Sequence, residues 1–122
     1  MIAADTSTWI SFFEGVQGDD VRELARALRS RQLVMPPPVL TELLSDPELP
    51  PSVAKTLLDL PSAALKDGFW RRAGELRAKV LARKRKARLG DALIAQCCID
   101  ADIALITRDG DFKAFSEHLD LV

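Results

Sequence analysis

Two short apolar segments, each released into an acid, do most to limit what this chain can fold into. Met1 to Ala4 is apolar and ends at Asp5, and the apolar run Ile103 to Thr107 is followed by Asp109. Both suit a buried strand whose C-terminal end delivers a carboxylate into a loop. Between them, apolar residues recur at three- and four-residue steps. Asp19 to Arg31 aligns Val21, Leu24, Ala25 and Leu28 on one face, and Asp19 or Asp20 can cap its start. From Phe69, the positions Trp70, Ala73, Leu76 and Val80 predict a long helix that runs into a basic stretch. Further helices are predicted at Thr8 to Phe13, Val39 to Ser45 and Ser52 to Leu60, and from Asp91 through Ile99 after a break at Gly90. Three more segments read as strands: Leu33 to Met35, stopped by Pro36, Pro37 and Pro38; Ala63 to Leu65; and Leu119 to Val122 at an edge. Strands alternating with helices specify an α/β sandwich with a mainly parallel sheet, whose ligand crevice lies at the carboxyl ends of the strands.

A chain of 122 residues has room for one core, so residues 1–122 read as a single domain. Its apolar runs fall short of the roughly 20 residues of a membrane helix, and no basic leader precedes an apolar stretch, so a cytoplasmic protein without membrane association is expected. The two cysteines, Cys97 and Cys98, are adjacent and read as reduced core thiols. With one histidine, His118, read as a surface or packing residue, and no Gly-x-Ser-x-Gly turn, neither a zinc site nor a Ser-His-Asp hydrolase is supported.

Charge is unevenly placed. Arg71 to Arg88 holds nine basic residues against one acid, a local charge of +8, and leaves eight bases against 17 acids elsewhere, a charge of −9. A basic arm on an acidic body gives one surface able to hold phosphates and another that needs cations.

Four acids stand out. Asp5 and Asp109 follow strands, while Glu42 in "VLTELL" and Asp91 in "LGDALIAQCC" occupy settings where packing residues are expected and a buried carboxylate is costly without a cation or hydrogen bonds. Each also has a local explanation. Asp5 can cap the helix after it, Asp91 can be a cap or first-turn acid, Glu42 can be a partly exposed helix residue, and Asp109 or Asp111 can shape the Gly110 turn. A shared metal site accounts for all four together. Carboxylates without histidine or thiolate favour hard cations such as Mg²⁺ or Mn²⁺. Two such ions about 4 Å apart can activate water and stabilise the leaving oxygen of a phosphodiester. Without metal, the like charges should raise some of the carboxyl pKa values.

The segments "ADTSTWISFF", "PPPVLTELL" and "ARLGDALIAQCCIDADIALITRDGDF", in that order, resemble PIN-domain proteins, in particular the VapC-type toxins of bacterial toxin–antitoxin pairs. The resemblance spans essentially the whole chain. It implies a three-layer α/β/α sandwich with a central parallel sheet, and an Mg²⁺- or Mn²⁺-dependent endoribonuclease. The mechanism expected for such a site is hydrolysis by metal-activated water that leaves a 5′-phosphate and a 3′-hydroxyl. Position by position, Asp5 and Asp91 match acids that contact metal directly. Glu42 matches one that holds metal or positions water, and Asp109 matches the fourth. Asp111 would be a supporting or helix-capping neighbour, Ser7 would orient Asp5 or a ligand, and Thr107 would support the site. RNA-binding residues are expected at Arg83, Lys84, Arg85, Lys86 and Arg88. The expected partners are RNA, a VapB-type antitoxin that places a basic side chain in the acid cluster, and a second copy in a homodimer. Trp9, Phe12 and Phe13 are candidates for a partner groove or for core packing.

Two other classes have features in common with this chain. A phospho-receiver domain requires an acid pair after the first strand and a phosphoacceptor Asp after a central strand, whereas Asp5 is single and the mid-chain strands lack such an Asp. A non-catalytic RNA-binding or scaffold module on the same fold is the remaining alternative.

Overall fold

The strand segments from the two ends of the chain lie side by side. The computed structural model describes all 122 residues, Met1–Val122. In it β1 (Ile2–Ala4) and β2 (Ala104–Ile106) pair in parallel, with Ile2, Ala3 and Ala4 opposite Ala104, Leu105 and Ile106. Three single bridges, all parallel, widen the sheet: Leu33 beside Ile2, Ser62 beside Met35, and Leu121 beside Leu105. The strands expected at Leu33–Met35 and Leu119–Val122 therefore exist only as bridges. The one expected at Ala63–Leu65 is displaced to Ser62, because Met35 pairs through the Pro61 carbonyl and the Ala63 N–H before Leu65 turns out to solvent.

Helix boundaries depart from the sequence reading where tertiary contacts or prolines intervene. Helix α1 (Thr6–Phe13) begins directly after Asp5, whose Oδ1 accepts the Thr8 N–H at 3.0 Å as an N-cap. Helix α2 (Asp19–Arg29) is capped by neither Asp19 nor Asp20. Gly18 holds the cap position without a side-chain bond, and both acids lie in the first turn. Helix α3 (Pro37–Leu44) contains two of the prolines expected to precede it, since a first-turn proline lacks only an N–H that has no partner there in any case. Helix α4 spans Pro51–Leu58.

The largest correction concerns the basic stretch. Helix α5 (Phe69–Ala82) stops before Arg83, and Lys84 takes a left-handed conformation with φ 61°, so the Arg83–Arg88 run is a turn and loop rather than a helix. A continued helix would stack like charges at three- and four-residue spacing, Arg83 against Lys79 and Lys86, and Arg88 against Lys84 and Arg85. Each such pair is unfavourable, and here the chain turns instead. Helix α6 (Leu89–Ala101) contains Gly90 in its first turn, where a break was expected, and Asp91 follows it there. A 3₁₀ helix, Gly110–Phe115, follows β2.

Helices α1 and α2 pack together, α5 and α6 pack together, and α2 and α6 both reach β2, so the sheet lies between helices in an α/β fold. Helix α3 touches both α1 and α6. One apolar core takes residues from all six helices and both strands, with Phe112 and Phe115 of the 3₁₀ helix fully buried in it. Cys97 and Cys98 are buried and unbonded, and burial pushes both thiols up to about 12. His118 is exposed, as expected. No helix is long and apolar enough to cross a membrane.

Candidate active site

Register places the first two site residues. Because Ala4 stands opposite Ile106, the next positions along the pair are Asp5 and Thr107. The Asp5 N–H continues the ladder to the Ile106 carbonyl at 3.0 Å. The Asp5 carboxylate is buried, with 2% of the residue exposed, and is surrounded by donors. Ser7 Oγ reaches both of its oxygens at 2.9 Å, the Thr8 N–H reaches Oδ1, and Thr107 Oγ1 reaches Oδ2 at 2.6 Å. Burial raises the Asp5 pKa, with these donors pulling the other way.

Asp5, Glu42, Asp91 and Asp109 all line one pocket of about 210 Å³, with Thr6, Ser7 and Arg88 in its wall. Asp91 enters from the first turn of α6, and Asp109 from the loop after β2, where it caps the 3₁₀ helix by accepting the Asp111 N–H at 2.9 Å. Asp111, expected as a supporting neighbour, comes closer than that. One carboxylate oxygen from each of Asp91, Asp109 and Asp111 lies within 4.8 Å of the others. The Asp91 carboxyl is pushed up to about 6 by burial and by Asp109, with smaller repulsion from Asp111 and Glu42 against the pull of Arg88. Burial is the larger cause, and the like-charge repulsion expected from the sequence adds to it.

Glu42 is exposed, not buried as its apolar sequence neighbours implied. Leu43 turns into the core, while Glu42 faces the pocket and accepts from Thr6 Oγ1 at 2.7 Å. Sequence reasoning misses Thr6. It also misses Thr8, Asp20 and Arg108, which bond to one another just behind Asp5: Thr8 Oγ1 donates to Asp20, and the Arg108 guanidinium grips the same carboxylate. The Arg108 hydrogen bonds hold the Asp20 carboxyl below the usual carboxylate range, and Asp20 raises Arg108 in return. The only sequence signal, the run of hydroxyls in "DTST", is weak without the fold.

The basic run surrounds the pocket unevenly. Arg88 lines it, and Lys86 and Arg88 reach Asp111 Oδ2 at 3.1 and 3.6 Å. Arg83 pairs with Glu117, whereas Lys84 and Arg85 pair with no carboxylate. Of the three aromatics considered for a partner groove, Trp9 is buried and Phe12 packs on the core, while Phe13 is exposed, as are Ile10 and Val16.

The donor set fits a hard divalent cation. Every candidate ligand is a carboxylate oxygen, the group carries excess negative charge, and one member is held off its normal ionisation by burial and by the others.

Comparison with known proteins identifies the family and the fold. A family model described as PIN domain matches residues 2–117. Ribonuclease VapC11 of Mycobacterium tuberculosis (strain ATCC 25618 / H37Rv) and VapC ribonuclease Mb1587 of Mycobacterium bovis are each 28% identical over 128 residues, covering 99% of this chain and 96% of theirs. Among solved structures, VapBC2 from Rickettsia felis bound to a promoter DNA fragment superposes with a TM-score of 0.73 at 21% identity, over 100% of this chain and 98% of that one. FitAcB from Neisseria gonorrhoeae superposes with a TM-score of 0.70 at 18% identity, over 99% and 96%. The family match runs through both strands and all the acids gathered at their ends, and the chain belongs to the PIN domain family.

Proposed function

We propose that this chain is an Mg²⁺- or Mn²⁺-dependent endoribonuclease, the toxin of a VapBC-type pair acting in the cytoplasm. The observation that carries the reading is the approach of the Asp91, Asp109 and Asp111 carboxylates at the pocket that also holds Asp5 and Glu42. The VapC ribonucleases to which the chain is similar over nearly their full length support RNA as the substrate, and the VapBC2 complex whose fold it matches supports a VapB-type antitoxin as the partner.

In this reading Asp5, Asp91 and Asp109 hold the cation, with Asp111 in reach and Glu42 at the rim. The ion supplies Lewis-acid activation of water and of the phosphodiester when bound. Ser7 and Thr107 fix both oxygens of Asp5, so the carboxylate meets the cation without first reorganising. Glu42, tied to Thr6 through Oε1, keeps Oε2 free to orient the attacking water or accept its proton. Arg83, Lys84, Arg85, Lys86 and Arg88 hold the RNA backbone against the repulsion of the acidic pocket. Ile10 on the pocket wall, with Phe13 and Val16 exposed further along the chain, offers an apolar foothold to an antitoxin segment. Trp70 and Leu65, exposed along a groove with Pro37 and Pro38, offer an apolar face to the second copy of a homodimer.

The test is cleavage of total cellular RNA by antitoxin-free protein with Mg²⁺, Mn²⁺ or chelator, beside Asp5→Asn. Metal-dependent cuts that leave 5′-phosphates and vanish in the variant are the expected result. Folded protein that binds RNA but cuts none with either metal would replace this reading by a non-catalytic RNA-binding module.

A further inference from the structure

The hydrogen bonds that fix Asp5 continue away from the pocket and close on themselves. Thr8 gives its backbone N–H to Asp5 Oδ1 at 3.0 Å and its hydroxyl to Asp20 Oδ2, also at 3.0 Å. Arg108 grips Asp20 with two nitrogens, Nε to Oδ2 at 2.7 Å and Nη2 to Oδ1 at 2.9 Å, and Nη2 also donates to the Gln17 carbonyl at 3.2 Å. Arg108 lies between Thr107 and Asp109 in the chain. The Thr107 hydroxyl donates to Asp5 Oδ2 at 2.6 Å and accepts the Asp109 N–H at 2.9 Å, which completes the circuit. Four segments meet in it: the end of β1, α1, the start of α2, and the loop after β2.

Several features mark the Asp20–Arg108 pair as built into the fold rather than left over on the surface. The Asp20 side chain is 9% exposed and that of Arg108 is 32% exposed. The contact is a two-pronged fork, the geometry in which arginine gains most from a carboxylate. Space has been cleared for it, because a Cβ on Gly18 would stand 2.6 Å from Asp20 Oδ1 and 2.7 Å from Arg108 Nη2. The pair also settles where a cation goes. Arg108 neighbours Asp109, and a guanidinium turned toward Asp91, Asp109 and Asp111 would compete with a divalent ion. Held by Asp20 and the Gln17 carbonyl, it is committed to the α2 side of Asp5.

We propose that Asp20 and Arg108 are positioning residues for the metal centre. Their ion pair, acting through Thr8 on one side and the Thr107–Asp109 turn on the other, sets the orientation of Asp5 and Asp109 toward a divalent cation. The inference rests on the nuclease reading above, but it concerns residues that touch neither metal nor RNA in that reading.

The experiment is calorimetric titration with Mn²⁺ alone, together with cleavage kinetics, on the parent chain and on Asp20→Asn, Arg108→Gln, Arg108→Lys and Thr8→Val. Groups bonded directly to a metal ligand typically carry about 10- to 100-fold in affinity or activity. Asp20 and Arg108 act one bond further out, so Asp20→Asn and Arg108→Gln should each lower Mn²⁺ affinity and kcat by about 10-fold, the low end of that range. KM for RNA should stay within about two-fold, because the missing interaction is not with substrate. The double variant should be no worse than the weaker single, as expected of two groups acting as one unit. Arg108→Lys, which keeps the charge but not the fork, should recover part of the loss. Thr8→Val removes only the hydroxyl link and carries the test if Asp20→Asn fails to fold. Asp100→Asn is the control, since it breaks another partly buried ion pair, with Arg72 of α5, and should lower stability without moving Mn²⁺ affinity. Folded Arg108→Gln or Thr8→Val protein with parental Mn²⁺ affinity and kcat, or an equal loss in Asp100→Asn, overturns the proposal. A parent chain that neither takes up Mn²⁺ nor cuts RNA overturns the nuclease reading instead, and this one with it.

Discussion

Thr107 and Asp5 stand 102 positions apart in the chain, and the hydroxyl of one donates to the carboxylate of the other at 2.6 Å. The bond is the side-chain continuation of the parallel β1–β2 ladder, one register step beyond Ala4 and Ile106. The sheet therefore both brings two distant acids, Asp5 and Asp109, to one end of the fold and supplies the hydroxyl that ties them, since Thr107 also accepts the Asp109 N–H.

Thr107→Val should thus act on two acids at once. It keeps the shape of the side chain but leaves a buried carboxylate one donor short and a backbone N–H without its acceptor, a cost of about 1–3 kcal/mol. The loss should appear in urea unfolding at pH 7, together with a fall of about 10- to 100-fold in metal-dependent cleavage. Parental stability in the variant would mean that water replaces the hydroxyl without cost.

Asp91 predicts how the metal-free chain responds to pH. Its carboxyl is pushed up to about 6, so the folded state holds a proton that the unfolded state has released. This contribution destabilises the fold as pH rises from about 4 through about 6, and it is absent below that window, where both states are protonated. In chelator at pH 7, Asp91→Asn should therefore be more stable than the parent by about 1 kcal/mol, a figure reduced for the solvent screening of a half-exposed group, with the difference vanishing near pH 4. Mn²⁺ should reverse the order by raising the Tm of the parent and not that of the variant. Equal Tm values in chelator at both pH values would show that neither burial nor the neighbouring carboxylates raise Asp91.

The acids at strand ends are legible in the sequence because both constraints on them are local: a short apolar run followed by a carboxylate has few other uses. Asp111 looks peripheral there because the turn of the 3₁₀ helix, which sequence does not reveal, swings it beside Asp91. Glu42 misleads in the opposite direction. Its neighbour Leu43 does face the core, but at 100° per residue the helix turns Glu42 away from it. The end of α5 is hidden because a periodic apolar face says where a helix packs and not where the chain leaves it, here through the left-handed Lys84. Asp20 and Arg108 lie 88 residues apart, and nothing in either local sequence announces the pair.

The basic loop divides into free and committed cations. Lys84 and Arg85 pair with no acid, whereas Lys86 and Arg88 reach Asp111. Reversing the charge of Lys84 and Arg85 should weaken binding to single-stranded RNA and flatten the log–log salt slope by about 0.7 for each phosphate that is no longer neutralised. Asp111→Asn, measured in chelator, should tighten binding because it releases Lys86 and Arg88. Asp59→Asn, which removes the same charge beside Lys55, outside the basic loop, gives the background for that comparison. Fluorescence anisotropy across a salt series reads all three, and an unchanged slope in the Lys84 and Arg85 variant would remove the loop from the RNA interface.

Glu42 and Asp5 should separate stability from activity. Asp5 caps α1 and accepts from three residues while buried, so Asp5→Ala strands several donors and should cost about 1–3 kcal/mol besides abolishing cleavage. Glu42 is exposed and gives up only its bond from Thr6, so Glu42→Gln should leave stability within about 0.5 kcal/mol. Its effect belongs to the reaction. If Oε2 orients the attacking water or takes its proton, kcat should fall by about 100-fold or more while KM stays near the parental value. Steady-state kinetics beside thermal unfolding separates the two roles. A Glu42→Gln variant with parental kcat would place the proton transfer elsewhere in the pocket, with Asp111 the remaining acid near Asp91 to examine.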